Sequence, residues 1–185
     1  MPSRTRIPGS DPGIWVLLLG DLLLFTIFFG TIAYYRGQEL AVFVQSQASL
    51  LQPLGLTNTL LLLTSSLFVA LAHDRLVKGD TKAALHLALA IACGSGFVCI
   101  KLLEYTLKIW SGVSISSNIF FTLYFAFTGI HLAHVLVGIG LLGWSFSSVR
   151  SSGRAGFAPA MESIALFWHM VDLLWVVLFL MFYLL

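Results

Sequence analysis

The sequence has little charge for its length. Only 10% of its 185 residues are Asp, Glu, Lys or Arg, whereas 58% are hydrophobic, and the mean hydropathy is +0.95. A soluble domain carries about 25% charged residues, so this composition excludes an ordinary soluble protein and indicates an integral membrane protein. The formal net charge of +2 is too small to indicate a nucleic-acid partner.

Cysteine is also scarce. Cys93 and Cys99 are the two cysteines, and they lie six residues apart within one apolar run. That spacing does not bring two side chains together easily on one helix, so no disulfide is predicted. Because free cysteine usually behaves as a small core residue, we expect both thiols to be buried. The sequence also shows no internal repeat and no separate soluble domain.

Five apolar segments alternate with short polar ones. They run from about Ile14 to Tyr35, Leu54 to His73, Ala83 to Leu107, Asn118 to Ser147 and Met161 to Leu185. Each is near or above the ~20 residues that a helix needs to cross the hydrocarbon. The first is too long for a signal peptide and is interpreted as a retained helix. The sequence therefore predicts an all-α fold, a single domain of five transmembrane helices, with connections at 37–55, 73–82, 110–117 and 150–159.

The basic residues predict the orientation, because Lys and Arg in short loops stay on the cytoplasmic side. One side holds seven of them and the other side two. The seven are Arg4, Arg6, Arg75, Lys78, Lys82, Arg150 and Arg154, and the two are Arg36 and Lys108. We therefore expect a cytoplasmic amino terminus and a carboxyl terminus on the outer face.

A few ionisable residues fall inside the predicted spans. They are Asp21 in the first, Lys101 and Glu104 in the third, His131 and His134 in the fourth, and Glu162, His169 and Asp172 in the fifth. An ionisable group in hydrocarbon costs ~2.5–3.5 kcal/mol on insertion scales, so each is a functional candidate by default. We expect these helices to offer their polar groups to a shared interior.

Structural interpretations compete with functional ones for these residues. His131 and His134 could bind haem or a metal, but an i,i+3 pair on one helix cannot supply both axial ligands of one haem. Hydrogen bonding across helices is the favoured interpretation. His169 and Asp172, again three apart, are interpreted as a structural pair. For Asp21, a structural hydrogen bond and a proton-handling role both stay open.

Several segments resemble, in order, the successive helices of subunit III of the haem-copper oxidases. These are WVLLLGDLLLFTIFFGTIAYYR, LGLTNTLLLLTSSLFVALAH, KLLEYTL, FFTLYFAFTGIHLAHVLVG and ESIALFWHMVDLLWVVLF. The family's Phe-His-x-x-His-Val-x-x-Gly pattern corresponds to residues 130–138, with Ile130 at its first position. Its Trp-His-x-x-Asp-x-x-Trp pattern is intact at 168–175. Asp21 falls where the family carries a buried helix carboxylate, and Glu104 with Tyr105 falls on its Glu-Tyr pair.

The resemblance implies a non-catalytic accessory subunit in the bacterial inner (cytoplasmic) membrane. It implies a partner, the haem-bearing catalytic subunit of an oxidase or nitric oxide reductase, and contact with membrane lipids, including a structural phospholipid. It implies no catalytic residue, haem or metal site in this chain, and links Asp21 to proton uptake by the partner. Two amino-terminal helices of the longer family members are absent, and the short form looks most like the NorE type associated with nitric oxide reductase.

Besides Ile130, two positions depart from the family pattern. Leu132 replaces the usual glycine after the first histidine, and Lys101 replaces a polar neutral residue. A rival hypothesis is a free-standing transporter or redox protein that uses Asp21, Glu104 and the histidines directly. The sequence lacks the inverted repeats and paired broken helices of many transporters, which favours the accessory subunit.

Overall fold

Long helices dominate the computed structural model, which describes residues 12–151 and 158–185. The helices are α1 (Pro12–Gln38), α2 (Leu40–Ala48), α3 (Gln52–Val77), α4 (Ala83–Trp110), α5 (Ile119–Ser151) and α6 (Ala158–Phe179), and α6 continues into a π-helical turn, Leu180–Leu184. Five helices are long and apolar enough to cross a membrane: α1, α3, α4, α5 and α6 with its π-turn. The predicted all-α fold with five spans is confirmed. Arg4, Arg6 and Arg154, three of the seven residues behind the predicted orientation, lie outside the described residues.

The connection predicted at 37–55 is partly wrong, because it contains the short helix α2. Phe43 and Ser46 form its buried side. Phe43 packs edge-on against Phe120 at the start of α5, with ring centres 5.3 Å apart. Nine residues are too few to cross a membrane, so α2 packs over the end of the bundle that also holds residues 111–118 and the π-turn. We call this the second end, and the end with residues 78–82 the first end.

Four of the spanning helices pack in a ring, in which α3 contacts α4, α4 contacts α5, α5 contacts α6 and α6 contacts α3. The first helix lies outside the ring against α5 and α6. Its buried side chains are Leu18, Phe25 and Ile32, which recur every seven residues and therefore form one narrow stripe. Most other side chains of α1 face outward, so this helix has the largest unpartnered surface of the bundle.

A heptad seam runs along α4 and faces the other helices of the ring. The buried residues of α4 are Ala83, Leu87, Ala90, Gly94, Phe97, Lys101, Glu104 and Lys108. They alternate by four and three residues, which is the spacing of a left-handed coiled coil. The Ser65 hydroxyl donates to the Ala90 carbonyl across the seam at 2.8 Å. Ala90 is one of the small residues of the seam, and small residues let neighbouring membrane helices approach closely.

The turn between α3 and α4 is closed by Asp80. Its carboxylate accepts the Lys82 backbone N–H at 3.0 Å and pairs with Arg75 at 2.5 Å. The hydrogen bond from the Lys82 N–H has the larger effect and the bond from Arg75 the smaller one, and both lower the pKa of Asp80. Gly79 has a φ of 71°, a conformation that glycine adopts without a Cβ clash.

Trp168 fixes the distance between α6 and its neighbours. Its indole lies against two glycines: a Cβ on Gly94 would be 3.0 Å from the ring, and a Cβ on Gly138 would be 2.5 Å from it. The glycine of the 130–138 motif and the first tryptophan of the 168–175 motif therefore form one contact. Leu132, which departs from the family pattern, is half-buried at the edge of the core.

The prediction that both thiols are buried is wrong. Cys93 is half-buried and Cys99 is exposed, and both are free. Neither position lies on the heptad seam, whose residues on this stretch are Gly94 and Phe97. Because a thiol is largely apolar, it is tolerated on a surface that faces lipid.

Replacing Gly138 by Ala should destabilise the protein by about 1–3 kcal/mol, since the added methyl group would overpack the contact with Trp168. The measurement is thermal unfolding of the purified protein in a mild detergent. Gly140→Ala is the matched control, because a Cβ there meets nothing within 4 Å and alanine is the better helix former. Equal stability of the two variants would contradict the close contact.

Candidate functional site

The predicted polar residues do not share one interior, and that expectation is corrected. The structure separates most of them into three places. The lysine cluster comprises Lys101, Glu104, Tyr124 and Tyr183. The acid–imidazole pair comprises Asp21 and His134, and the serine contact comprises Ser66, His169 and Asp172.

The lysine cluster is fully enclosed. Lys101 and Glu104 occupy consecutive positions of the α4 seam, so both side chains turn inward and both have no exposed area. The Lys101 ammonium donates to Glu104 Oε2 at 3.0 Å, to the Tyr124 hydroxyl at 2.8 Å and to the Tyr183 hydroxyl at 3.0 Å. All three donors of the ammonium are therefore used.

Glu104 is satisfied by the same groups. The Tyr183 hydroxyl donates to the Glu104 carboxylate, with its oxygen 2.7 Å from Oε1 and 2.8 Å from Oε2. Four aromatic rings also surround the ammonium, with centres 4.4 to 5.5 Å away: Tyr105, Tyr124, Trp175 and Tyr183. Removing two charges from water is costly unless each is paired and hydrogen-bonded, and this cluster meets both conditions. It joins α4, α5 and the π-turn in one contact.

Lys101 and Glu104 are predicted from the sequence as site residues, whereas Tyr124 and Tyr183 are not. Tyr124 lies 20 residues from Glu104 in a run of aromatic residues, and nothing in its local sequence distinguishes it from its neighbours. Tyr183 reaches the cluster from the π-helical turn, which apolar periodicity does not predict. The α4 heptad was the available signal, since it places Lys101 and Glu104 on the inward face.

The acid–imidazole pair lies between α1 and α5. His134 Nε2 is 3.5 Å from Asp21 Oδ1, and the two side chains keep 21% and 20% of their surface exposed. His134 Nδ1 lies 2.8 Å from the Ile130 carbonyl and so carries a hydrogen. Nε2 and the carboxylate are then both acceptors unless one more proton lies between them. The geometry provides a place for one shared proton.

The pair opens into a groove of about 280 Å³ between α1, α5 and α6. Leu17, Val137 and Phe167 are among its apolar lining residues. The Phe25 ring closes one side, with its centre 5.7 Å from the His134 ring. Asp21 and His134 are therefore accessible from the lipid side through this groove.

His131 does not form the hydrogen bond across helices that the sequence predicts. It is fully buried, and among the described residues neither ring nitrogen has a partner. Its ring lies among Trp175, Phe97 and Phe25, with centres 5.3, 5.8 and 6.5 Å away. Aromatic packing rather than hydrogen bonding holds this imidazole. For His134 the contact across helices is present.

The predicted pairing of His169 with Asp172 is also absent from the described part of the chain. His169 Nδ1 instead contacts the Ser66 hydroxyl on α3 at 2.5 Å. Asp172 is 7% exposed, and its Oδ1 has no partner among the described residues. The serine on the facing helix competes successfully because α3 and α6 pack directly together.

Two further residues complete the comparison with the sequence-based prediction. Trp175 donates its Nε1–H to the Thr59 hydroxyl at 3.1 Å, so both motif tryptophans serve packing between helices. Glu162 lies half-buried in the early part of α6, away from the lysine cluster at the other end of that helix. Within residues 12–151 and 158–185, no three His, Cys, Asp or Glu side chains lie together as a metal site requires.

Comparison with known proteins decides the family. The sequence pattern of the family described as Cytochrome c oxidase subunit III matches residues 8–185. The chain belongs to this family. As a subunit III protein, it carries both family motifs in the contacts described above, with Trp168 against Gly138 and Trp175 against Thr59.

Individual relatives agree with this assignment. The chain is 31% identical to "Cytochrome c oxidase subunit 3" of Alkalihalophilus pseudofirmus, over 99% of this chain and 91% of the relative. It is 25% identical to "Quinol oxidase subunit 3" of Bacillus subtilis, over 90% and 82%. It is 36% identical to the Schizophyllum commune subunit 3 over 70% of this chain, and spans about half of that longer protein, 48%. The resemblance to subunit III is therefore confirmed as a family relationship.

Lys101→Met should destabilise the protein by about 3–5 kcal/mol, because it leaves the Glu104 carboxylate buried without its cation. The double variant Lys101→Met with Glu104→Met should be the more stable of the two, since it removes both charges. Thermal unfolding in detergent measures the difference. Lys78→Met breaks the exposed Lys78–Asp74 pair and should cost at most about 1 kcal/mol. A Lys101→Met variant no less stable than Lys78→Met would refute the structural role of the cluster.

Proposed function

We propose that this subunit III protein is a non-catalytic accessory subunit of a haem-copper respiratory complex in the bacterial cytoplasmic membrane. Its partner is the haem-bearing catalytic subunit, which it supports in assembly, stability or proton supply. The observation that carries the proposal is the acid–imidazole pair of Asp21 and His134, which faces a lipid-side groove with about a fifth of each side chain exposed.

An exposed carboxyl group inside a membrane needs a cover. A charged side chain at mid-span costs at least ~2.5 kcal/mol on insertion scales, and lipid tails offer no hydrogen bond. The helix that bears Asp21 packs on the outside of the ring with most of its side chains facing outward, including Val16, Leu19 and Leu23 at 73%, 61% and 66% exposure. A neighbouring subunit against α1 would bury this face and screen the pair.

The geometry also supports proton supply as part of the role. The pair holds a place for one proton between two acceptors, and it lies in a groove at the proposed subunit contact. Glu104 is less suited, because it is sealed inside the lysine cluster with no exposed area. Asp21 therefore helps to supply protons to the partner subunit and is not a catalytic residue of this chain.

The protein also has a proposed subgroup and a proposed orientation in the membrane. We assign the chain to the NorE type on its opening helix, residues 12–31. The bacterial relatives of similar length are named as oxidase subunits, so length alone does not separate the subgroups. We place the first end, with Arg75, Lys78, Lys82 and Arg150, on the cytoplasmic side. Haem and metal are assigned to the partner and none to this chain.

The transporter hypothesis receives less support. A transporter opens its polar residues to water alternately on both sides. Here the lysine cluster is enclosed and held by hydrogen bonds among its own members, and the buried residues of α4 have the heptad spacing of packed helices. A spectrum separates the two hypotheses further: the purified chain alone should show no haem Soret band and no stoichiometric metal.

Purification of a tagged chain from its native membrane in a mild detergent should bring down a haem protein. Deletion of the chain should lower that enzyme's yield, its durability in turnover or its proton uptake, while its haem spectrum stays unchanged. Measuring oxygen and nitric oxide reduction separately identifies the subgroup. A chain that migrates alone in every detergent, with both activities unchanged on deletion, would overturn the accessory function.

A membrane-permeant carbodiimide should modify Asp21 in preference to Glu104, because only the former is reachable from lipid. Mass spectrometry of the labelled peptides gives the ratio. Asp74 and Asp80 at the first end serve as controls for labelling from the water side. A water-soluble carbodiimide should modify these two residues in preference to Asp21. Asp21→Asn should keep the fold, yet reduce proton uptake by the partner; an unaltered proton uptake would exclude the proton role and leave the contact role.

A further inference from the structure

The acid–imidazole pair is too widely spaced for a direct hydrogen bond of ordinary length. His134 Nε2 and Asp21 Oδ1 are 3.5 Å apart, beyond the ~2.7–3.2 Å of a usual N–H···O bond. His134 Nδ1 is occupied by the Ile130 carbonyl at 2.8 Å, so Nε2 is the nitrogen that faces the carboxylate. The pair therefore leaves room for a third group that contacts both residues.

A hydroxyl is the chemical group that satisfies both members of the pair at once. Wherever the single shared proton lies, one of Asp21 and His134 is a donor and the other is an acceptor. A hydroxyl accepts from the donor and donates to the acceptor. A carbonyl or ester oxygen only accepts, so it leaves the other member without a partner, which is unfavourable away from water.

Depth in the membrane limits which molecules bring a hydroxyl to the pair. Asp21 lies eight residues after Gly13, where the first span begins, and therefore about 12 Å along the helix axis from that point. The headgroup region takes up only about 5–8 Å on each side of the bilayer. The pair thus lies within the hydrocarbon, below the phosphate and glycerol groups of phospholipids. Its ligand has to be a lipid-soluble molecule whose polar end enters the hydrocarbon.

The walls of the groove favour an aromatic ring as that polar end. Phe167 lines the groove, and its ring is stacked on the His134 ring with centres 6.4 Å apart. Phe25 meets the same imidazole edge-on at 5.7 Å. Aromatic rings pair favourably at ~4.5–7 Å, so a further ring finds partners here. A cavity of about 150 Å³ binds benzene, and the groove of about 280 Å³ has room for one substituted ring.

We propose that the groove between α1, α5 and α6 binds the head of a membrane quinol, which is a dihydroxylated aromatic ring with an apolar tail. One ring hydroxyl bridges Asp21 and His134, the ring lies against Phe167, and the tail extends into lipid. The oxidised quinone has carbonyls in place of hydroxyls and binds more weakly. The inference rests on the proposed function in one respect, the single proton held by the pair. It concerns binding, and no bond is made or broken.

Calorimetric titration of the purified full-length chain with decylubiquinol, in detergent under argon, tests the site. The wild type should bind one quinol at least about tenfold more tightly than Asp21→Leu or His134→Phe, which corresponds to about 1.4 kcal/mol, because each variant removes one hydrogen bond. Decylubiquinone should bind the wild type at least about fivefold more weakly than the quinol, since one bond is lost. This preference should disappear in Asp21→Leu. Ala133→Leu fills the groove that Ala133 lines, and it decides the matter if the other variants do not fold.

Matched controls lie outside the groove. Asp74→Leu and His86→Phe change the same residue types near the first end, and Ala88→Leu adds the same side chain at an exposed alanine of α4. All three should bind the quinol like the wild type. Equal affinity of Ala133→Leu and the wild type would overturn the proposal, and so would equal affinity of the wild type for quinol and quinone. Decanol that binds as tightly as the quinol would also overturn it, because an aliphatic alcohol would then be sufficient.

The proposed accessory function is tested separately, by recovery of a haem protein with the tagged chain. A chain that brings down the haem protein and binds no quinol would overturn the quinol site alone. A chain that binds the quinol with the expected preference, and brings down no haem protein, would support the quinol site and overturn the accessory function.

Discussion

The ion pair between Lys101 and Glu104 is the constraint on which the second end of the bundle depends. Both groups sit on the seam of α4 with no exposed area, so the helix cannot rotate without bringing two charges into hydrocarbon. Their partners then fix the neighbours. Tyr124 orients α5, and Tyr183 requires the π-turn, whose extra residue per turn places that hydroxyl over the carboxylate. The pair therefore sets helix rotation as well as stability.

The polar groups of this protein divide into sealed and open ones. The lysine cluster satisfies its own donors and acceptors, so it needs no other molecule. Asp21 and Arg36, both on α1, are not satisfied in this way. Asp21 faces a groove with a single imidazole as its partner, and Arg36 has a buried nitrogen without a partner among the described residues. These two lie on the helix that packs outside the ring. A helix whose polar groups face grooves at the edge of the bundle is suited to assembly with other membrane components on that side.

Much of the fold could be predicted from the sequence, because span length and apolar composition depend on the bilayer alone. The five spans follow from that, and their ends differ from the prediction by a few residues where polar side chains continue a helix beyond the hydrocarbon, as Asp74 and Arg75 do in α3. Contacts between helices could be predicted less well from the sequence. His169 was expected to pair with Asp172 on its own helix, yet it bonds to Ser66 because α3 lies directly opposite. His131 was expected to bond and instead packs among aromatic rings, a result that depends on which residues three other helices place around it.

The short separation of Lys101 and Glu104 has a consequence for synthesis. The two charges are one helical turn apart, so they enter the bilayer together and can neutralise each other before α5 and α6 exist. Asp21 has no such neighbour: its imidazole partner is on α5, and at about 5–20 residues per second the ribosome needs seconds to produce it. During that interval the first helix carries an unpaired acid. An early encounter with a membrane insertase or with the partner subunit would shelter this acid. The protein is therefore more vulnerable during assembly than after the bundle is complete.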